Sequence, residues 1–271
     1  MSMPPRAFGR TTERIAQALR ALRAGLCFLY FGVGVWLVGN AILPILRRTR
    51  WRGLAPEAVA LRSQRVAHLF CRSFQFCMTR VMRLVRVQWI GAERLRSGPH
   101  LVVANHPSLI DTPLFIALMP HADFIVSPDW LRSRVLRALI QGAGYLRAED
   151  GAAVIGQAVE RLRAGRSVVV YPEGSRTPPE GLRAFQRGAA HVALRAGCDL
   201  TPVTISVAPR ALMHGQGWLD FPRENPVFRF EVGEPIPPSF PGDGGGRALA
   251  ARRLTGVLEE YFEKRWERGR S

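Results

Sequence analysis

From about Val87 onward the sequence predicts an α/β domain with a largely parallel central sheet flanked by helices, preceded by an N-terminal helical region. Three observations carry this reading. Strand-length apolar runs alternate with helix-length segments over short connections, the pattern of a parallel sheet and its crossovers. The first third lacks that alternation and holds an uncharged stretch from Ala24 to Leu46. Behind that stretch, arginines recur at helical spacing among apolar residues. The expected division is a basic, membrane-associated helical region over 1–86 and an α/β domain over 87–271.

The uncharged stretch, AGLCFLYFGVGVWLVGNAILPIL, exceeds the roughly 20 residues that cross a hydrocarbon core and lacks the pattern of a cleaved signal peptide. Gly32, Gly34 and Gly39 weaken it as a soluble helix and are better tolerated in a membrane helix. Trp36 sits mid-segment, and arginines flank both ends, so charge does not orient it. The segment either spans the bilayer or dips into one leaflet; a buried core helix is the third reading. Residues 62–87 follow as a basic amphipathic helix, with Arg62, Arg65, Arg72, Arg80, Arg83 and Arg86 among Phe70, Phe74, Met78 and Met82. Such a helix suits an anionic lipid surface or a solvated face of the domain.

The α/β elements then come in order. Strands are predicted at 100–104, 123–127, 167–171, 200–207 and 227–233, and helices at 108–119, 130–141, 152–164, 188–196 and 247–266. The PGDGGG run at 241–246 reads as a loose linker.

Charge and composition exclude several classes. The net charge is +17, and residues 1–90 hold fifteen arginines against Glu13 and Glu57, a net of +13. That asymmetry calls for an anionic partner. No zinc-finger or aromatic RNA-binding motif accompanies it, and a membrane-length segment is adjacent, so membrane lipid is expected and nucleic acid is not. Lys264 is the single lysine, which excludes a P-loop lysine and most Schiff-base chemistry. Cys27, Cys71, Cys77 and Cys198 show no metal-ligand spacing; no metal is expected, and a reducing compartment is.

Two polar loops end apolar runs. In VVANHPSLIDTP, Pro107 keeps His106 out of helical geometry and is itself suited to the first position of a helix. His106 then sits at the carboxyl end of a strand, the edge where open α/β sheets bind ligands. Five helical steps leave Asp111 about 140° past a full turn, so the two meet only if His106 folds back over the helix start. Met in that way, the aspartate fixes the imidazole tautomer and the other ring nitrogen accepts a proton. Taken alone, such a pair also reads as a cap or a surface hydrogen bond. In VVVYPEGSRTPP, Gly174 permits close backbone approach, Arg176 offers a planar fork to phosphate, and Glu173 can orient Arg176 or a substrate hydroxyl. The bland reading is a loop salt bridge. Ser175 lies in no G-x-S-x-G elbow. In GAGYLRAED, Arg147 is a second candidate phosphate ligand.

The order N-H-P-S-L-I-D, G-A-G-Y-L-R, P-E-G-S-R and T-P-V resembles the glycerolipid acyltransferase family, whose best-known members acylate lysophosphatidic acid, over roughly 87–235. The resemblance implies His106 as general base and Asp111 as its support. It implies substrate binding by Asn105, Arg147, Glu173, Gly174, Ser175 and Arg176, and an acyl-donor or packing role for Pro202. PEGSRTPPEGLRAFQRGAAHVALRAGC and GWLDFPRENPVFRFEVGE resemble more narrowly the acyltransferases found with bacterial aryl-polyene pathways, which puts the acceptor in question. Ser127 and Gln186 stand where many members carry lysine, and Ser175 replaces the usual threonine.

The expected function is a membrane-bound O-acyltransferase of phospholipid biosynthesis. It would use acyl-CoA or acyl carrier protein as co-substrate and no cofactor, with the catalytic domain on the cytoplasmic side of the inner membrane. The oxyanion is expected to meet backbone N–H groups near 105–108. The rivals are a thioesterase-like hydrolase and a noncatalytic lipid-binding protein.

Overall fold

The computed structural model describes residues 7–217, 220–238 and 246–268. The predicted linker at 241–246 lies outside them, apart from Gly246. Seven strands form one sheet: β1 Arg86–Ile90, β2 Leu101–Ala104, β3 Asp123–Val126, β4 Leu146–Arg147, β5 Val168–Val170, β6 Leu200–Ala208 and β7 Val227–Val232. Their spatial order is β1-β7-β6-β2-β5-β3-β4. All neighbours pair parallel except β6 with β7, so the sheet is largely parallel as the alternation predicts. The two-residue strand β4 falls inside the G-A-G-Y-L-R motif and is too short to give a periodic signal.

The strand pleat sorts side chains to two faces. Val102 and Ala104 join a core with the N-terminal helices and with α4 (Asp111–Leu118). Leu101 and Val103 join another with α7 (Ala152–Arg163), α8 (Gly188–Ala196) and α9 (Arg247–Arg268). By the same alternation the residue after Asn105, His106, emerges on the face of the N-terminal helices.

The uncharged stretch is helical. α1 (Ala7–Leu37) passes through a wide π-type turn at Val38–Ile42 into α2 (Leu43–Thr49). Pro44 supplies the cause: it cannot donate to the carbonyl one turn back, and the widened turn absorbs the missing bond. Residues Glu13–Thr49 are long and apolar enough to cross a membrane, yet a third of that apolar window is buried against the rest of the protein. Two glycines read from sequence as membrane tolerance have a packing role. A Cβ on Gly34 would stand 2.2 Å from the Phe70 ring, and one on Gly39 would stand 2.8 Å from the Leu139 backbone. The opposite face leaves Leu22, Leu26, Leu29, Val33 and Trp36 exposed.

α3 (Pro56–Phe76) starts earlier than predicted, on a proline at its first position, and ends in a π-type turn at Cys77–Val81. Arg83 then takes a φ of +50°, which stops the helix, and Arg86 and Val87 belong to β1 instead. The arginine spacing persisted across this reversal and masked it. Arg62, Arg65, Leu69, Arg72 and Phe76 lie exposed on α3, and the Tyr30 and Ser73 hydroxyls, 2.7 Å apart, join this face to that of α1. The helix predicted at 130–141 is two pieces, α5 (Pro128–Arg132) and α6 (Arg137–Ala143).

Candidate active site

Neighbouring strands β2 and β5 run parallel with Val103 opposite Val170, so their carboxyl ends release the two polar loops side by side. The helix after β2 begins at Asp111. Pro107 is therefore not its first residue: a turn over 107–110 intervenes and carries His106 back over the helix start. This supplies the fold-back that the five-residue spacing demands. Asp111 Oδ2 lies 3.0 Å from His106 Nδ1 and accepts the Ser108 N–H at 2.7 Å. An ionised carboxylate only accepts, so Nδ1 carries the proton and Nε2 keeps its lone pair. Among the described residues no group bonds Nε2.

Both side chains are enclosed: the His106 side chain is 11% exposed and that of Asp111 0%. Burial pushes the Asp111 carboxyl above the usual carboxylate range; the His106 hydrogen bond and charge, the Ser108 amide and the Arg176 charge pull it back. Its Oδ1 is buried without a partner among the described residues. The imidazole stacks on Tyr171 with centroids 4.2 Å apart and planes 16° from parallel. The Tyr171 hydroxyl in turn lies 3.0 Å from Thr112 Oγ1 on α4. Tyr171 was not anticipated; its place one residue before the P-E-G-S-R loop and one after the apolar run was the available signal.

The loop after β5 is a clamp on the loop after β2. Glu173 Oε1 accepts the His106 N–H at 3.2 Å and the Thr177 hydroxyl, and Oε2 accepts the Arg183 N–H at 3.1 Å. The Thr177 N–H donates back to the His106 carbonyl at 2.7 Å. Burial raises the Glu173 carboxyl, opposed by those donors. Both its oxygens are thus engaged by the protein, and its geometry is that of a positioning group rather than a ligand for a substrate hydroxyl or for Arg176. Gly174 takes a φ of +70°, and a Cβ there would meet the Gln186 side-chain nitrogen at 2.6 Å. Gly174 and Ser175 are exposed at the tip.

Asn105 also departs from a substrate role. Its side-chain oxygen accepts the Ile205 N–H at 2.7 Å and its Nδ2 donates to the Ile205 carbonyl at 2.8 Å, which extends the β2–β6 pairing by a side chain. Pro202 is buried on β6 beside Val103, and its carbonyl accepts the Gly233 N–H, a packing position. The backbone donors expected for an oxyanion are occupied: the His106 amide by Glu173 and Thr177, and the Ser108 amide by Asp111.

Half-buried Arg176 donates from Nη1 to the Leu212 and Met213 carbonyls at 3.5 and 3.4 Å. Those residues follow β6, and Leu212 also accepts the Leu109 N–H at 3.1 Å. Three chain segments, from the ends of β2, β5 and β6, therefore close around the pair. The third was not legible because its contribution is backbone. Arg147, exposed on β4 and paired with Glu149, lies three strands from β2, about 14 Å across the sheet at the usual strand spacing. The structure does not bring it against His106.

A family model described as Acyltransferase matches residues 86–206. A lyso-ornithine lipid O-acyltransferase of Pseudomonas aeruginosa is 37% identical over 112 residues, covering 40% of this chain and 43% of that one. A sheep 1-acyl-sn-glycerol-3-phosphate acyltransferase alpha is 27% identical over 161 residues, 56% of each chain. The chain thus spans about half the length of these two relatives. A 1-acyl-sn-glycerol-3-phosphate acyltransferase of Pseudomonas aeruginosa is 26% identical over 251 residues, 86% of each chain. Among solved structures, a 1-acyl-sn-glycerophosphate acyltransferase from Thermotoga maritima matches with a TM-score of 0.64 over 92% of this chain and 98% of that one. At 20% identity that likeness is one of fold.

Proposed function

We propose that the chain is a glycerolipid acyltransferase that moves an acyl group from an acyl-CoA or acyl-ACP thioester to a hydroxyl of a lysophospholipid. The observation that carries this is His106, held through Nδ1 by a buried aspartate with Nε2 left to accept a proton. Nε2 takes the acceptor's hydroxyl proton as the oxygen attacks the thioester carbonyl. Collapse of the tetrahedral intermediate breaks the C–S bond, and the imidazolium returns its proton to the leaving thiolate. Asp111 holds the ring and stabilises its transient charge. Arg176, close enough to pull on the Asp111 carboxyl, is the cation beside the pair for an anionic acceptor group. Glu173 and Tyr171 position the base without touching substrate.

The acceptor reading is 1-acylglycerol-3-phosphate, in phospholipid biosynthesis. A second reading, an acceptor without a phosphomonoester, is favoured by Ser127 and Gln186 at positions often lysine, by the pairing of Arg147 with Glu149 and by the lyso-ornithine lipid relative. An acceptor of an aryl-polyene pathway belongs to this reading. Mass spectrometry of the lipid formed from one acyl thioester and equimolar lysophosphatidic acid and lyso-ornithine lipid decides between them. Thiol release that needs neither acceptor would turn the assignment to a hydrolase.

The site is proposed to work at the cytoplasmic surface of the inner membrane. α1 and the turn after it contact the domain from Gln17, bonded to Phe221, to Gly39 against Leu139, so the segment does not project as a free span. Its exposed apolar stripe and the arginines of α3 suit burial in one leaflet.

A further inference from the structure

A second feature of the same sheet edge is unused by this chemistry. β6 continues from Val203, opposite Ala104, to Ala208, about 17 Å at the usual strand rise. It carries the starts of β7 and β1 with it: Ala208 pairs with Val227, and Val227 with Arg86. Where these strands meet α1 there is a cavity of about 400 Å³, lined by Arg20, Arg86, Arg223, Glu224 and Asn225 together with Ala208, Pro209 and Val227. Three guanidinium groups face one carboxylate. Arg20 Nη1 is held by the Pro222 carbonyl at 2.6 Å, and Asn225 Nδ2 by the Arg83 carbonyl at 2.9 Å, so two of the walls are fixed. Arg223 pairs with exposed Glu13, at 3.2 Å. Arg20 also stands between Leu19 and Leu22, 53% and 57% exposed, within the bare apolar stripe of α1.

A planar guanidinium fork matches phosphate oxygens, and several around one cavity select an anion over a neutral head group. The apolar stripe beside it selects an amphiphile over a free ion. We propose that this cavity binds the phosphate of an amphiphile, the head group of an anionic membrane phospholipid, with the acyl chains along α1. Coenzyme A offers the same phosphate chemistry, so the test separates the two sources.

The full chain in neutral detergent is titrated calorimetrically with dihexanoyl phosphatidylglycerol below its micelle concentration, and separately with coenzyme A. The expected result is one phosphatidylglycerol per chain, weakened at least tenfold by Arg20→Gln/Arg86→Gln/Arg223→Gln. Glu224→Gln, which removes the cavity's carboxylate, should tighten it. Arg62→Gln/Arg65→Gln/Arg72→Gln on α3 should leave this affinity unchanged. If coenzyme A instead shows the same dependence on the cavity arginines, the phosphate site stands and its ligand is the donor. Equal losses in the two triple variants, or no effect of either cavity variant on either ligand, would overturn the proposal. Should the triple variant fail to fold, Arg223→Gln and Glu224→Gln, both at exposed positions, carry the same test. The readout is binding without acyl transfer, so its failure leaves the catalytic assignment standing.

Discussion

Asp111→Asn tests the pair at the level of a single oxygen. His106 Nδ1 and the Ser108 N–H both reach Oδ2, at 3.0 and 2.7 Å. An asparagine must therefore place its carbonyl oxygen there, because its NH2 would oppose the Ser108 amide. The NH2 goes to the Oδ1 position, which is buried and has no partner among the described residues. The imidazole tautomer survives and only the charge is lost. A carboxylate beside an imidazolium gains about 4 kcal/mol at an effective dielectric of 20, against about 1 kcal/mol for a neutral hydrogen bond. The difference of about 3 kcal/mol corresponds to a turnover roughly 100-fold below the parent. The assay is acceptor-dependent thiol release at saturating thioester. Parent-like turnover would refute the supporting role of Asp111. A loss as complete as that of His106→Ala would refute the shared-oxygen argument, since it would mean the tautomer was lost as well.

The same variant carries a pH signature. Burial holds the Asp111 carboxyl above the ordinary carboxylate range in the folded state, so its favourable contribution is present below that range and is lost as pH rises through the folded pKa. Denaturant unfolding of Asp111→Asn against the parent should show a stability difference that shifts toward the variant across that rise; a pH-independent difference would contradict it. Glu173→Gln cannot satisfy donors on both sides, since either orientation turns an NH2 toward an N–H, and should lose about 1–3 kcal/mol in unfolding along with turnover. Tyr171→Phe keeps the stack on His106 and should retain most activity, while Tyr171→Ala removes a contact worth about 0.5–1.5 kcal/mol and should lower kcat several-fold with KM little changed. Gly34→Ala forces a methyl into the Phe70 ring and should lower stability by about 1–3 kcal/mol in a thermal or denaturant melt.

What could be read in advance followed contiguity. His106 and Asp111 lie within one short segment at a strand end, as do Glu173 and Arg176, and short apolar runs marked those strands. The α/β pattern survived because five of the six strand pairings are parallel and their crossovers are helical. The failures lie where long-range pairing assigns the role. Asn105 looked like a ligand because a polar residue beside the base is ambiguous until Ile205 is known to sit opposite. Glu173 looked available because nothing local shows that the amides of His106 and Arg183 converge on it. Pro107 suggested a helix start four residues early, since a proline that suits a first turn suits a preceding loop equally well. The arginine period from Arg62 to Arg86 hid a chain reversal at Arg83, a backbone event that a side-chain pattern does not record.

The central claim is that His106 deprotonates an acceptor hydroxyl. It is tested most directly by thiol release from an acyl thioester, with and without lysophospholipid, in the parent and in His106→Ala. The account predicts release that requires the acceptor and falls by about 10²–10⁴ in the variant, the usual worth of a general base. Release in His106→Ala at the parent's acceptor-dependent rate would contradict it.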